Sequence, residues 1–131
     1  MCGGEAEKLL KEAERVLSNA YSPYSGYRVA AAVLSKDGRI FTGVNIENSS
    51  YGLTICAERV AIFNAVSAGC KNLSMIAIVS DNPDIPPYPC GACRQVMAEF
   101  NKDIKIVIKK SEKIIELSLT DLLPYSFDFK K

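Results

Sequence analysis

Cys90-Gly91-Ala92-Cys93 sets two thiols one helical turn apart, a spacing at which both sulfurs can reach one metal ion at about 2.3 Å. Taken alone the pair is ambiguous, because a redox dithiol, half of a structural zinc site and a catalytic metal site all share it. A third cysteine, Cys56, narrows the choice. It too opens a segment of helical character, so all three thiols would stand at the positive ends of helix dipoles, where thiolate is favoured over thiol. Histidine is absent from the chain, which removes the commonest general base and the commonest zinc ligand together. A structural site would need a fourth ligand from Cys2, at the N-terminal end, or from Cys70, which precedes a buried strand and reads as a small apolar filler. Three ligands leave one position open for water.

Glu58, just beyond Cys56, is too local to join the ligand set and well placed to carry protons beside a metal. An isolated glutamate in a first helical turn would read instead as a charge that suits the dipole. Three thiolates around a dication leave the centre negative, which opposes turning water into hydroxide. Arg59 is the natural donor to the sulfurs, relieving that charge, and Arg94 is a second candidate whose position reads better as a solvent-facing helix residue.

These residues need elements to position them. Leu9, Leu10, Ala13, Val16, Leu17 and Ala20 recur at helical spacing, and the helix stops before the turn-rich stretch 21–27, where Pro23 disfavours helix at Ser22. Residues 29–34 and 40–44, around the turn at Lys36-Asp37-Gly38, predict a hairpin. Residues 56–68 predict a buried helix closed by Gly69, followed by an apolar strand over 73–79. Four prolines in 80–89 exclude helix and central strand and make a stiff connector. Helical spacing returns over 90–100, strands over 104–108 and 114–117, and Ser118-Leu119-Thr120-Asp121 suits the start of a short last helix. Roughly five strands interleaved with about three helices imply one sheet with helices on its faces, a layered α/β domain spanning 1–131.

At 131 residues, 48% of them hydrophobic, the chain can build its own core. Lys and Arg number 16 against 15 Asp and Glu, so no positive field exists to gather a polynucleotide, and no apolar run approaches the ~18 residues of a membrane span. Five cysteines without an even framework argue for reduced thiols. The expectation is a soluble cytoplasmic protein bound to neither nucleic acid nor membrane.

Cys56-Ala57-Glu58-Arg59, followed by Pro89-Cys90-Gly91-Ala92-Cys93, resembles the signature of the cytidine deaminase family in its all-cysteine form, and that resemblance extends to 21–29, Asn45-Ile46-Glu47-Asn48 and 122–127. It implies a three-layer α/β/α sandwich with a mixed sheet of about five strands and one Zn²⁺ per chain held by Cys56, Cys90 and Cys93. It also implies that Glu58 shuttles protons during hydrolysis of cytidine and deoxycytidine to uridine and deoxyuridine plus ammonia, a pyrimidine-salvage reaction. By the same resemblance Tyr27 packs on the pyrimidine, Asn45 and Glu47 hold the ribose hydroxyls, and backbone near Ala57 and Pro89 meets the exocyclic amine. Phe127 would reach a neighbouring active site in a homotetramer, with Tyr51 near a subunit boundary. Tyr27 stands where the family often has Phe, and Ala30 where Gly is common. Two rivals remain: a deaminase of a larger cytosine nucleoside of the blasticidin S type, against which Asn45-Ile46-Glu47-Asn48 argues, and a non-catalytic structural-zinc module, which requires a fourth cysteine ligand.

Overall fold

A computed structural model describes residues 3–129. Cys2, one of the two cysteines considered as a fourth ligand, lies outside the described residues. The strands are β1 (Val29–Ser35), β2 (Ile40–Val44), β3 (Leu73–Ser80), β4 (Lys105–Lys110) and β5 (Lys113–Ser118). They form one sheet in the order β2-β1-β3-β4-β5, with β3 and β4 parallel and the other neighbours antiparallel. The helices are α1 (Gly3–Val16), α2 (Ala57–Ser67), α3 (Gly91–Phe100) and α4 (Leu119–Leu122).

The alternation along each strand explains the layering. On β1, Ala30 and Ala32 face α1 while Ala31 and Val33 face α2 and α3; on β3, Met75, Ala77 and Val79 take the α1 side and Ile76 and Ile78 the other. Helices cover both faces, so β1 and β3 are apolar throughout and lack the polar-out pattern of a one-sided sheet. α1 supplies Ala6, Leu9, Leu10 and Ala13 to one core; α2, α3 and α4 supply Ala61, Ile62, Met97 and Leu119 to the other. The architecture is the expected three-layer sandwich around a mixed five-stranded sheet.

Helix α1 begins earlier than its apolar pattern suggests, at Gly3, because Ala6 is already buried against the sheet; Leu17–Asn19 tighten into a 3₁₀ turn. Gly69 ends α2 as expected, in a left-handed conformation at φ 91°, with the amide of Cys70 returning to the carbonyl of Ala65. Gly43 serves a different need. A Cβ there would lie 2.4 Å from the amide nitrogen of Ala61 and 2.7 Å from the carbonyl oxygen of Ala57, so only glycine lets α2 lie this close to β2. Because β2 and β3 run parallel, on either side of β1, the starts of α2 and α3 come to the same edge of the sheet.

Candidate metal centre and active-site pocket

Cys56 and Cys90 occupy equivalent places, each the residue before a helix, each extended (φ −78°, ψ 152° and φ −72°, ψ 171°), and neither side chain caps its helix. Both side chains instead turn toward each other and toward Cys93. The sulfurs of Cys56 and Cys90 are 3.8 Å apart, those of Cys90 and Cys93 are 3.5 Å apart, and all three lie within 4.8 Å of one another. A tetrahedral zinc with Zn–S bonds of about 2.3 Å spaces its ligands by about 3.8 Å. The three sulfurs are therefore a cluster able to hold a zinc ion. Among the described residues no fourth histidine, cysteine or carboxylate joins it. Cys70 is buried in the core between α2 and β3, the apolar filler its sequence position suggested.

The electrostatics of the cluster suit a cation. The nearby Cys93 thiol, with further help from Arg59 and Cys90, stabilises the Cys56 thiolate and brings the Cys56 thiol down to about 5. The neighbouring Cys56, together with burial, pushes the Cys93 thiol well above the usual range. Arg59 places its Nη2 at 3.5 Å from the Cys56 sulfur, and its own affinity for a proton rises through that bond. Its Nε is buried without a hydrogen-bond partner among the described residues. Glu58, in the first turn of α2, is only 4% exposed. Burial pushes its carboxyl up to about 7, and the charge on Cys56 adds to the effect. A carboxyl poised near neutrality beside the sulfurs can both take and return a proton.

In front of the sulfurs lies a cavity of about 190 Å³ lined by Tyr27, Asn45, Cys56, Ala57, Glu58 and Tyr88. Asn45 is nearly buried and clamps the approach to β1: its Nδ2 donates to the carbonyl of Tyr27 at 2.9 Å and its Oδ1 accepts the amide of Val29 at 3.0 Å. Glu47 lies in an adjoining cavity of about 340 Å³, with Tyr24, Ser25, Tyr51 and Thr54, and Thr54 lines both spaces. Its Oε1 accepts the amides of Tyr24 and Ser25, and its Oε2 accepts the Ser25 hydroxyl. The Ser25 hydroxyl is the main reason the Glu47 carboxyl sits below its ordinary range.

A model of the cytidine and deoxycytidylate deaminase zinc-binding region matches residues 4–110. The chain belongs to this deaminase family. A cytidine deaminase of Halalkalibacterium halodurans is 47% identical over 125 residues, 94% of each chain. A probable cytidine deaminase of Dictyostelium discoideum is 46% identical over 123 residues, 94% of this chain and 84% of that one. The crystal structure of cytidine deaminase from Burkholderia pseudomallei aligns at a TM-score of 0.84 and 41% identity, covering 92% of this chain and 98% of that one.

The structure brings together at one pocket the sequence-expected Tyr27, Asn45, Cys56, Ala57, Glu58 and Cys90, with Cys93 and Arg59 behind the first sulfur; Glu47 stands next door. Phe127 is 72% exposed and lines neither cavity, and Tyr51 is 77% exposed with its ring edge-on to Tyr24. Several pocket residues of the deaminase were not anticipated from sequence: Val29, Thr54, Ile55, Pro87 and Tyr88. For Thr54, Ile55, Pro87 and Tyr88 the available signal was adjacency to the cysteine segments; for Val29 it was its place at the end of the 21–29 stretch that shares the family resemblance. Arg94 departs from its expected place in solvent. It is half-buried and donates to two backbone carbonyls, those of Pro89 and Leu122, because the start of α3 faces the end of α4. No described helix is long and apolar enough to cross a membrane.

Proposed function

We propose that the deaminase hydrolyses cytidine and deoxycytidine at C4 to uridine and deoxyuridine, releasing ammonia. The observation that carries this is the buried Glu58 carboxyl beside three converging sulfurs at the floor of a small cavity. Cys56, Cys90 and Cys93 would hold a zinc ion, which would supply a Lewis acid that lowers the pKa of water. Glu58 takes the proton that water gives up, delivers it to N3 of the base as oxygen adds at C4, then takes the proton of the new C4 hydroxyl and hands it to the departing amine, so that ammonia leaves as the carbonyl forms. Arg59 offsets the negative charge of the sulfurs. In this reading Tyr27, which lines the cavity with Ala57, offers a flat apolar face to the pyrimidine, and backbone near Ala57 and Pro89 meets the exocyclic amine.

The polar groups left over at Asn45 and Glu47 bear on the sugar. Each Asn45 group that could meet a ligand has one hydrogen-bonding direction already used, and Glu47 retains about one free acceptor direction after its three loop donors. That remainder, one donor direction and about two acceptor directions, can engage either or both of the sugar hydroxyls, so loss of the 2′-hydroxyl removes about one hydrogen bond. Cytidine and deoxycytidine should therefore differ by less than about tenfold in kcat/KM, the equivalent of one ordinary hydrogen bond.

The assembly is proposed to be a homotetramer in which Phe127 serves a neighbouring pocket. Its support is the exposure of Tyr51, Tyr125 and Phe127 on the same protein that carries an open-fronted site. A cytoplasmic role in pyrimidine salvage accords with a small nucleoside substrate and with thiols that must stay reduced.

Ultraviolet monitoring of cytidine and deoxycytidine with purified protein, together with zinc content per chain and light scattering of the eluted species, tests the reading. Glu58→Gln should keep one zinc per chain while turnover falls by about 10²–10⁴-fold for each proton transfer it serves. Near-normal turnover in that variant would remove Glu58 from the chemistry.

A further inference from the structure

We propose that Arg94 is a positioning residue for the metal site, fixing the Pro89–Cys90 hinge from which the Cys90 sulfur is presented. This rests on the assignment of Cys56, Cys90 and Cys93 as the zinc ligands.

Cys90 is the weakly held member of the three. It is exposed, whereas Cys56 is half-buried and Cys93 is buried within α3. Its sulfur projects from the residue just before α3, where helical hydrogen bonding has only begun, with the Arg94 amide reaching the Cys90 carbonyl at 3.0 Å. On its other side lies a stiff segment that packs through the buried Pro87 and Pro89 but has few hydrogen bonds to fix its backbone. Pro83, Pro86, Pro87 and Pro89 have no amide to donate, and the bonds of Asp84, Ile85 and Tyr88 turn back on Asn82 and Pro86 within the same connector. Among the described residues, the hydrogen bond from Arg94 Nε to the Pro89 carbonyl, at 2.8 Å, is the one that joins 83–89 to another element.

The other end of the same guanidinium explains why this tether is firm. Nη1 of Arg94 donates to the carbonyl of Leu122, also at 2.8 Å. Leu122 ends α4, whose Leu119 is buried in the core and which packs against α3. One planar fork therefore spans from the hinge to a point held by the core, and its two donors are set at a fixed angle that a lysine ammonium cannot reproduce. Both acceptors are backbone carbonyls, so Arg94 orients backbone and adds no ligand to the cluster. The next residue makes a contrast: Gln95 Nε2 donates to the carbonyl of Phe127 at 3.0 Å and holds the C-terminal segment with no link to the hinge.

The test uses the zinc-loaded protein. Zinc content of the wild type, expected at one per chain, checks the ligand assignment on its own; a wild type that binds none fails that assignment and leaves Arg94 out of the question. Given a loaded wild type, zinc loss to an excess of chelator is followed in Arg94→Lys, Arg94→Gln and Gln95→Ala. Loss should be about 10–100-fold faster in both Arg94 variants, the usual effect of removing a group that orients a ligand, and close to wild type in Gln95→Ala. The cobalt-loaded proteins should show the same division, with the thiolate-to-metal absorption altered only in the Arg94 variants. Wild-type zinc retention in the Arg94 variants overturns the proposal, as does equally fast loss from Gln95→Ala, which would mean general loosening of the C-terminal segment. Failure of both Arg94 variants to fold while Gln95→Ala folds also overturns it, in favour of a role in the fold alone.

Discussion

Gly43→Ala is a small change that touches no sulfur-bearing side chain, and it should nevertheless disable the site. The added Cβ would stand 2.4 Å from the amide nitrogen of Ala61, 2.7 Å from the carbonyl oxygen of Ala57 and 2.9 Å from the carbonyl carbon of Val60, all of them backbone atoms of α2. Ordinary contact begins near 3.4 Å, so the helix must retreat from β2 by about 1 Å. The retreat carries the Cys56 sulfur, the Glu58 carboxyl and the Arg59 guanidinium with it, while Cys90 and Cys93 stay with α3. A displacement of about 1 Å at reacting groups commonly costs about 10²-fold in rate, and forcing a methyl into a packed seam costs about 1–3 kcal/mol of stability. Thermal unfolding, zinc content, kcat and KM of Gly43→Ala should be compared with those of Val44→Ala, which thins the opposite seam against α1. The expected result is a loss of kcat in Gly43→Ala with KM little changed, and a loss of stability alone in Val44→Ala. A folded Gly43→Ala protein with wild-type kcat would refute the claim that this contact sets the height of the catalytic helix.

Two further outcomes follow from the site's electrostatics. The Glu47 carboxyl is held below its ordinary value of 4.5, chiefly by the Ser25 hydroxyl, so its grip on the 21–27 loop is complete above that value and is lost as pH falls through the lower, folded value. Amide exchange of Tyr24 and Ser25, corrected for intrinsic rates, should accelerate in that acid window; Glu47→Gln should show the faster exchange already at neutral pH and respond little to acid. Arg59→Gln should lower activity by about 10–100-fold while cysteine-bound zinc persists, and an unchanged rate would show that the sulfurs need no cation beside them.

The sequence alone determined a good deal of this protein. Apolar residues at both parities of β1 and β3 required a sheet covered on two faces, and the Gly69 cap, the proline connector and the hairpin turn at Lys36-Asp37-Gly38 delimited the elements. The three cysteines, Glu58 and Arg59 were legible because metal chemistry restricts residue type and because each sits at a helix start, a local feature. Other features depended on distant partners. Arg94 looked like a surface residue until α4 brought the Leu122 carbonyl to it, and Glu47 looked like a free sugar ligand until the 21–27 loop folded three donors onto it. Tyr88 and Val29 became pocket residues only when the connector and the start of β1 met across the sulfurs. Local spacing encodes which atoms can bind a metal, since that depends on side-chain type and one turn of helix. Only the tertiary structure decided which backbone carbonyls and loop amides those side chains meet, because those partners come from other segments of the chain.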